Sequence, residues 1–158
     1  MNKNFTKEDI IKKHETNVKS ANTAFTLVGV LGIIYVIRYF ITGNFDFHFS
    51  LSVPEMMLKL GHGGTVNPYV AYGVTAVFFL VYILVTVLTV RNPKFIKLGL
   101  AFYTLDFLCL LFFMFVVLRQ FPDSFSDDLY IEVIIHIFVI LFLSMGVYSH
   151  GRLKKTDI

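Results

Sequence analysis

Apolar residues fall in four long runs along this chain: Ala24 to Ile41, Tyr69 to Val90, Leu98 to Leu118 and Tyr130 to Tyr148. At ~1.5 Å rise per residue, each is about as long as a hydrocarbon core roughly 30 Å thick requires. A surface helix of a soluble domain has an apolar stripe and a polar back; these runs are apolar nearly all round. Within them, the acidic, basic or imidazole residues are Arg38, Asp106, Glu132 and His136. The pattern predicts an all-α membrane protein, a four-transmembrane-helix antiparallel bundle. Its spans lie at about 22–42, 69–90, 97–118 and 130–150 of a single membrane domain covering residues 1–158.

The stretches between the runs carry their own signals. In the tail, residues 1–21, Ile10, Ile11, His14, Val18 and Ala21 share one side of a helix, with Lys12, Lys13 and Lys19 largely opposite. Such a segment lies against lipid headgroups. The outer loop, residues 43–68, is expected to be structured. From Asn44 to Val53 it alternates, with Phe45, Phe47, Phe49, Leu51 and Val53 against Asp46, His48, Ser50 and Ser52, which is the period of an extended strand. Pro54 then opens a short helix from Glu55 to Leu60, re-entrant or lying on the membrane, which Gly61, Gly63 and Gly64 end. In the first span Thr26, Gly29 and Gly32 recur every three residues and offer a face for close helix packing, including self-association. In the second, Tyr72, Thr75, Phe79, Tyr82, Thr86 and Thr89 form a stripe expected to be the packed face. Arg91-Asn92-Pro93 marks a tight turn that makes spans two and three antiparallel neighbours.

Charge sets the expected orientation. Of the 14 basic residues, eleven lie in the tail (Lys3, Lys7, Lys12, Lys13, Lys19), the link between spans two and three (Arg91, Lys94, Lys97) and the chain end (Arg152, Lys154, Lys155). Arg38, Lys59 and Arg119 fall on the other side. The bias places the N and C termini in the cytoplasm. The net charge of +3 then reflects orientation and anionic lipid rather than nucleic acid. The composition, 56% hydrophobic with a mean hydropathy of +0.69, leaves no room for a separate soluble domain. The first run is too long for a signal-peptide core and is read as a retained span. The single cysteine, Cys109, excludes an intrachain disulfide and dithiol chemistry.

An intramembrane carboxylate is costly when charged, so Asp106 is the first candidate for function. It lies nine residues beyond Lys97, roughly 13 Å deep at helical rise and close to the midplane. His136 reaches a similar depth from the other side, with Glu132 one turn outward and Arg38 as a second possible partner. Two readings stay open. Asp106, His136 and Glu132 form a proton relay, or they form a structural clasp between spans three and four; the clasp takes precedence. An amide at position 106 should silence a relay yet serve a clasp with little loss. Asp46, His48 and His62 offer oxygen and nitrogen ligands in one loop, but their spacing matches no metal motif, so neither metal nor cofactor is assigned. Paired haem histidines, a nucleophile elbow for Ser-His-Asp hydrolysis and a phosphate-binding glycine loop are absent from the sequence. Phe45, Phe47, Phe49, Met56 and Met57 are a candidate contact surface.

A basic tail and first span, then Phe47, Phe49, Ser50, Ser52, Val53 and Pro54, then Leu105, Asp106 and Leu108 in mid-span carry a resemblance. Over roughly Ala21 to Leu111 the chain resembles small four-span membrane proteins of Gram-positive bacteria that have no assigned function. That resemblance implies a bacterial cytoplasmic membrane and no particular activity. The expected function is that of a non-catalytic integral membrane component: an accessory subunit, a regulator or an immunity-type protein. It would act through its helices and outer loop on a membrane-protein partner or a second copy, within the lipid bilayer and without nucleic acid. The alternative is a small oligomeric proton- or ion-coupled transporter using Asp106 and His136.

Overall fold

The computed structural model describes residues 7–43, 51–120 and 127–156, and the side chains of 7–43, 51–116 and 130–152. Its helices are α1 (Lys7–Thr42), α2 (Ser52–His62), α3 (Pro68–Arg91), α4 (Ile96–Gln120) and α5 (Asp127–Thr156), with a 3₁₀ turn at Pro93–Phe95. No strand occurs among the described residues. Four of the helices are long and apolar enough to cross a membrane: α1, α3, the stretch Pro93–Val116 containing most of α4, and Tyr130–Arg152 of α5. The protein is therefore an all-helical, multi-pass membrane protein. The fifth helix, α2, is the segment between the first two spans.

The spanning helices α1, α4 and α5 each bury a stripe whose members recur mostly every three or four residues. On α4 these are Ile96, Gly99, Tyr103, Asp106 and Leu110; on α5 they are Glu132, His136, Val139, Leu143, Gly146 and Ser149. On α1 the stripe runs from His14 through Val18, Ala21, Phe25, Val28, Gly29, Gly32 and Tyr35 to Tyr39. This alternation of threes and fours is the seam of helices that wrap gently around one another. On α3 the buried positions are Ala71, Thr75, Tyr82, Val85 and Thr89. Thr75, Tyr82 and Thr89 of the expected polar stripe therefore face inward, while Tyr72 is exposed. Large apolar side chains such as Leu27, Ile37, Leu80, Leu105, Phe112 and Phe138 point outward. In lipid they need no burial, so small and polar residues take the inner positions instead.

Contacts along the helices place the two termini at one end of the bundle. There α1 and α5 run side by side, with His14 Nδ1 3.2 Å from Ser149 Oγ. Asn22 Nδ2 donates to the Thr89 carbonyl at 3.4 Å, which sets the α3–α4 turn at this same end. At the opposite end the Tyr39 and His62 rings lie 6.4 Å apart, and those of Phe40 and Tyr72 5.3 Å apart. Asparagine side chains start the local elements: Asn67 Oδ1 accepts from Tyr69 N–H at 2.9 Å before α3, and Asn92 Oδ1 accepts from Lys94 N–H at 3.0 Å in the turn. Between the ends, the Phe25, Tyr82 and Tyr103 rings pack together, and the Tyr82 hydroxyl donates to the Phe25 carbonyl.

The small-residue face of α1 packs within the chain: Gly29 admits the Tyr82 ring and Gly32 lies against Leu51 and Phe79, while Thr26 alone of the three is exposed. An added Cβ at Gly29 would strike the tyrosine ring. The alternating segment does not extend through Val53, because Ser52 and Val53 already form the first turn of α2; residues 44–50 lie outside the described residues. The helix expected from Glu55 to Leu60 begins three residues earlier and runs to His62. Pro54 sits inside its first turn, where a missing N–H and a fixed φ do no harm.

Candidate functional site: a buried polar cluster at the start of α2

The helix α2 is sunk into the bundle. Leu51, Ser52, Pro54, Glu55, Leu58 and Gly61 are buried, and α2 packs mainly on α3 and α4. Gly61 permits the approach to α3, since a Cβ there would come 2.8 Å from the Ala71 Cβ. The amino end of α2 thus lies against the buried stripes of α4 and α5.

A helix start inside a bundle creates an accounting problem. The first-turn amides have no partners within their own helix and, once buried, must find them elsewhere. The residue preceding the helix is Leu51, which has no side-chain acceptor. Asp106 of α4 takes that role from another helix. Its Oδ2 accepts from Ser52 N–H at 3.0 Å, and its Oδ1 accepts from Val53 N–H at 3.0 Å. Pro54 has no N–H to satisfy. Glu55 N–H turns back to the Leu51 carbonyl at 3.4 Å. Every donor of the first turn is thereby placed, and the carboxylate sits at the positive end of the helix.

His136 of α5 closes the cluster. Its ring is stacked between Tyr103 and Phe107, at centroid distances of 4.9 and 5.5 Å. Nδ1 lies 2.8 Å from the Glu132 carbonyl, which can only accept, so Nδ1 carries a hydrogen. Nε2 lies 3.1 Å from Asp106 Oδ2 and 3.0 Å from Ser52 Oγ. Ser52 Oγ donates to Glu132 Oε1 at 3.2 Å. Asp106, Glu132 and His136 are 1%, 3% and 0% exposed. Beside them Glu55, itself buried, pairs with Lys59 one turn along α2.

Ser52, His136 and Asp106 bring the three residue types of a hydrolase together, but in the wrong order. A catalytic triad needs serine on one imidazole nitrogen and the acid on the other, so that the acid orients the ring that takes the serine proton. Here both meet Nε2, and Nδ1 is held by a backbone carbonyl. Ser52 is also 4% exposed, which leaves no access for a substrate carbonyl.

Of the residues singled out in the sequence, the structure brings Asp106, His136 and Glu132 together. It does not bring Arg38, which is exposed near the far end of α1. Ser52 and the amide of Val53 were missed as members. The capping-box spacing of Ser52 and Glu55 could not have found them, because Ser52 is the first residue of α2 rather than the one before it and its side chain does not cap the helix. Met56 and Met57 are half-buried on α2, and His62 is exposed beside Tyr39. Phe45, Asp46, His48, Phe47 and Phe49 lie outside the described residues. Among the described residues no group of three or more His, Cys, Asp or Glu side chains could hold a metal ion. The expectation that asparagine would serve at position 106 is also revised. Both carboxylate oxygens face N–H donors, and an amide supplies only one oxygen.

No family model matches this chain, and no curated protein or solved structure matches it either.

Proposed function

We propose that this protein is a non-catalytic integral membrane component, an accessory subunit, regulator or immunity-type protein, whose working part is the outer segment carried by α2. One observation supports this reading above the rest. The carboxylate of Asp106 is engaged by two backbone amides of α2 and by His136, so its bonding capacity goes into holding that helix in place. A locked α2 presents the segment around Met56 and Met57 in a fixed pose, and binding through a preorganised surface loses less entropy. The distribution of lysine and arginine supports an orientation with both termini in the cytoplasm and α2 entering from outside. In a Cys109→Ala background, a cysteine at position 62 is expected to be labelled in intact cells. One at position 155 is expected to be labelled only after the membrane is opened, and the reverse pattern contradicts the orientation.

A second reading has a specific observation in its favour. Asp106, His136, Ser52 and Glu132 form an unbroken chain of hydrogen bonds of 3.1, 3.0 and 3.2 Å. Such a chain can pass a proton in a proton-coupled transporter. Flux in proteoliposomes separates the two. The lock gives no pH-driven flux from the unmodified protein. The relay gives flux that Asp106→Asn abolishes.

A further inference from the structure

At the end of the bundle that carries the termini, a groove of about 700 Å³ opens between α1 and the end of α3. Its walls change character along α1. Lys19, Asn22 and Thr23 come first, then Leu27 and Val30, with Val90 and Pro93 across from them. From Lys19 to Val30 is eleven residues, or roughly 16 Å of helix, close to the depth of one leaflet's hydrocarbon at about 15 Å. The polar portion therefore lies at headgroup level and the apolar portion at acyl-chain level.

Charge in the polar portion specifies the headgroup. Lys19 is exposed on the rim, and Arg91, Lys94 and Lys97 are exposed around the adjacent turn. His14, also on the wall, has its pKa lowered by burial and then by the neighbouring His150, so Lys19 is the wall's cation at neutral pH. Glu15 stands one turn, ~6 Å, farther from the membrane than Lys19.

We infer that this groove holds one anionic phospholipid of the surrounding leaflet, its phosphate at Lys19 and an acyl chain along Leu27 and Val30. A zwitterionic choline lipid offers no net negative charge. The exposed cations therefore select an anionic headgroup such as phosphatidylglycerol over a choline one.

Native mass spectrometry of the full chain in detergent tests this, with phosphatidylglycerol and phosphatidylcholine of identical acyl chains as probes. The expected result is one bound phosphatidylglycerol at a concentration at least tenfold below that needed for phosphatidylcholine. Lys19→Glu should reduce that preference about tenfold, whereas Lys13→Glu, with the same change in net charge outside the groove, should leave it intact. Thr26→Trp, which fills the groove from an exposed position, should remove the bound lipid of either kind. Equal binding of the two lipids by the unmodified protein overturns the proposal without recourse to any variant. Equal loss in Lys19→Glu and Lys13→Glu overturns it in favour of diffuse surface attraction, as does retention in Thr26→Trp.

Discussion

Position 106 accepts two backbone hydrogens at once, and that requirement separates an acid from an amide there. In Asp106→Asn one oxygen still accepts, but an NH₂ group faces the other amide, and one donor of the first turn of α2 is left without a partner. A buried unsatisfied donor costs about 1–3 kcal/mol. Asp106→Asn is therefore expected to lower stability by about that amount in a detergent melt followed by helicity, and Asp106→Leu, which strands both donors, by more. Equal melting of Asp106→Asn and the unmodified protein would contradict the capping geometry. At this scale the sequence was partly legible. Ionisable groups in a span must turn inward, which put Asp106 and His136 together. Ser52 was not legible, because the acceptor that caps its helix comes from 54 residues away. With Leu51 preceding the helix, the local sequence lacks the side-chain cap that usually marks a start.

Among the elements, the four spans were legible because length and apolarity alone define a crossing helix. Their inward faces were less so. A helix apolar on every side carries no amphipathic signal, and here the buried positions are marked by glycine, threonine, tyrosine and charge rather than by leucine. Glycines show the consequence. A Cβ at Gly146 would meet Ile96 and, at 3.2 Å, the Ala21 Cβ, whereas one at Gly73 would meet nothing within 4 Å. Gly146→Val should force α1, α4 and α5 apart and destabilise the fold by about 1–3 kcal/mol. Gly73→Ala, equally deep in a spanning helix, should change stability by less than about 0.5 kcal/mol. Similar losses at both positions in thermal melts would mean that the helices do not pack as described. The glycines of α1 carry a related lesson: small residues in a row offer a face for close helix packing, and Gly29 and Gly32 are filled by Tyr82, Leu51 and Phe79 of the same chain.

The whole molecule is four spans plus one inserted helix, and the insertion distinguishes it from a plain bundle. The spans also hold one another directly: α1 packs on α5, and the Phe25, Tyr82 and Tyr103 rings pack together between α1, α3 and α4. What fixes α2 is Leu58 and Gly61 on its flank and the Asp106 cluster at its start. Amide hydrogen exchange at Ser52 and Val53 tests this insertion most directly. First-turn amides of a helix lack intrahelical partners and, in an exposed helix, exchange rapidly. If Asp106 holds α2 inside the bundle, both amides exchange as slowly as those in the interior of α4. In Asp106→Ala they become fast while the α4 and α5 amides on the termini side stay protected. Rapid exchange at Ser52 and Val53 in the unmodified protein, or slow exchange that Asp106→Ala leaves unchanged, would contradict the insertion.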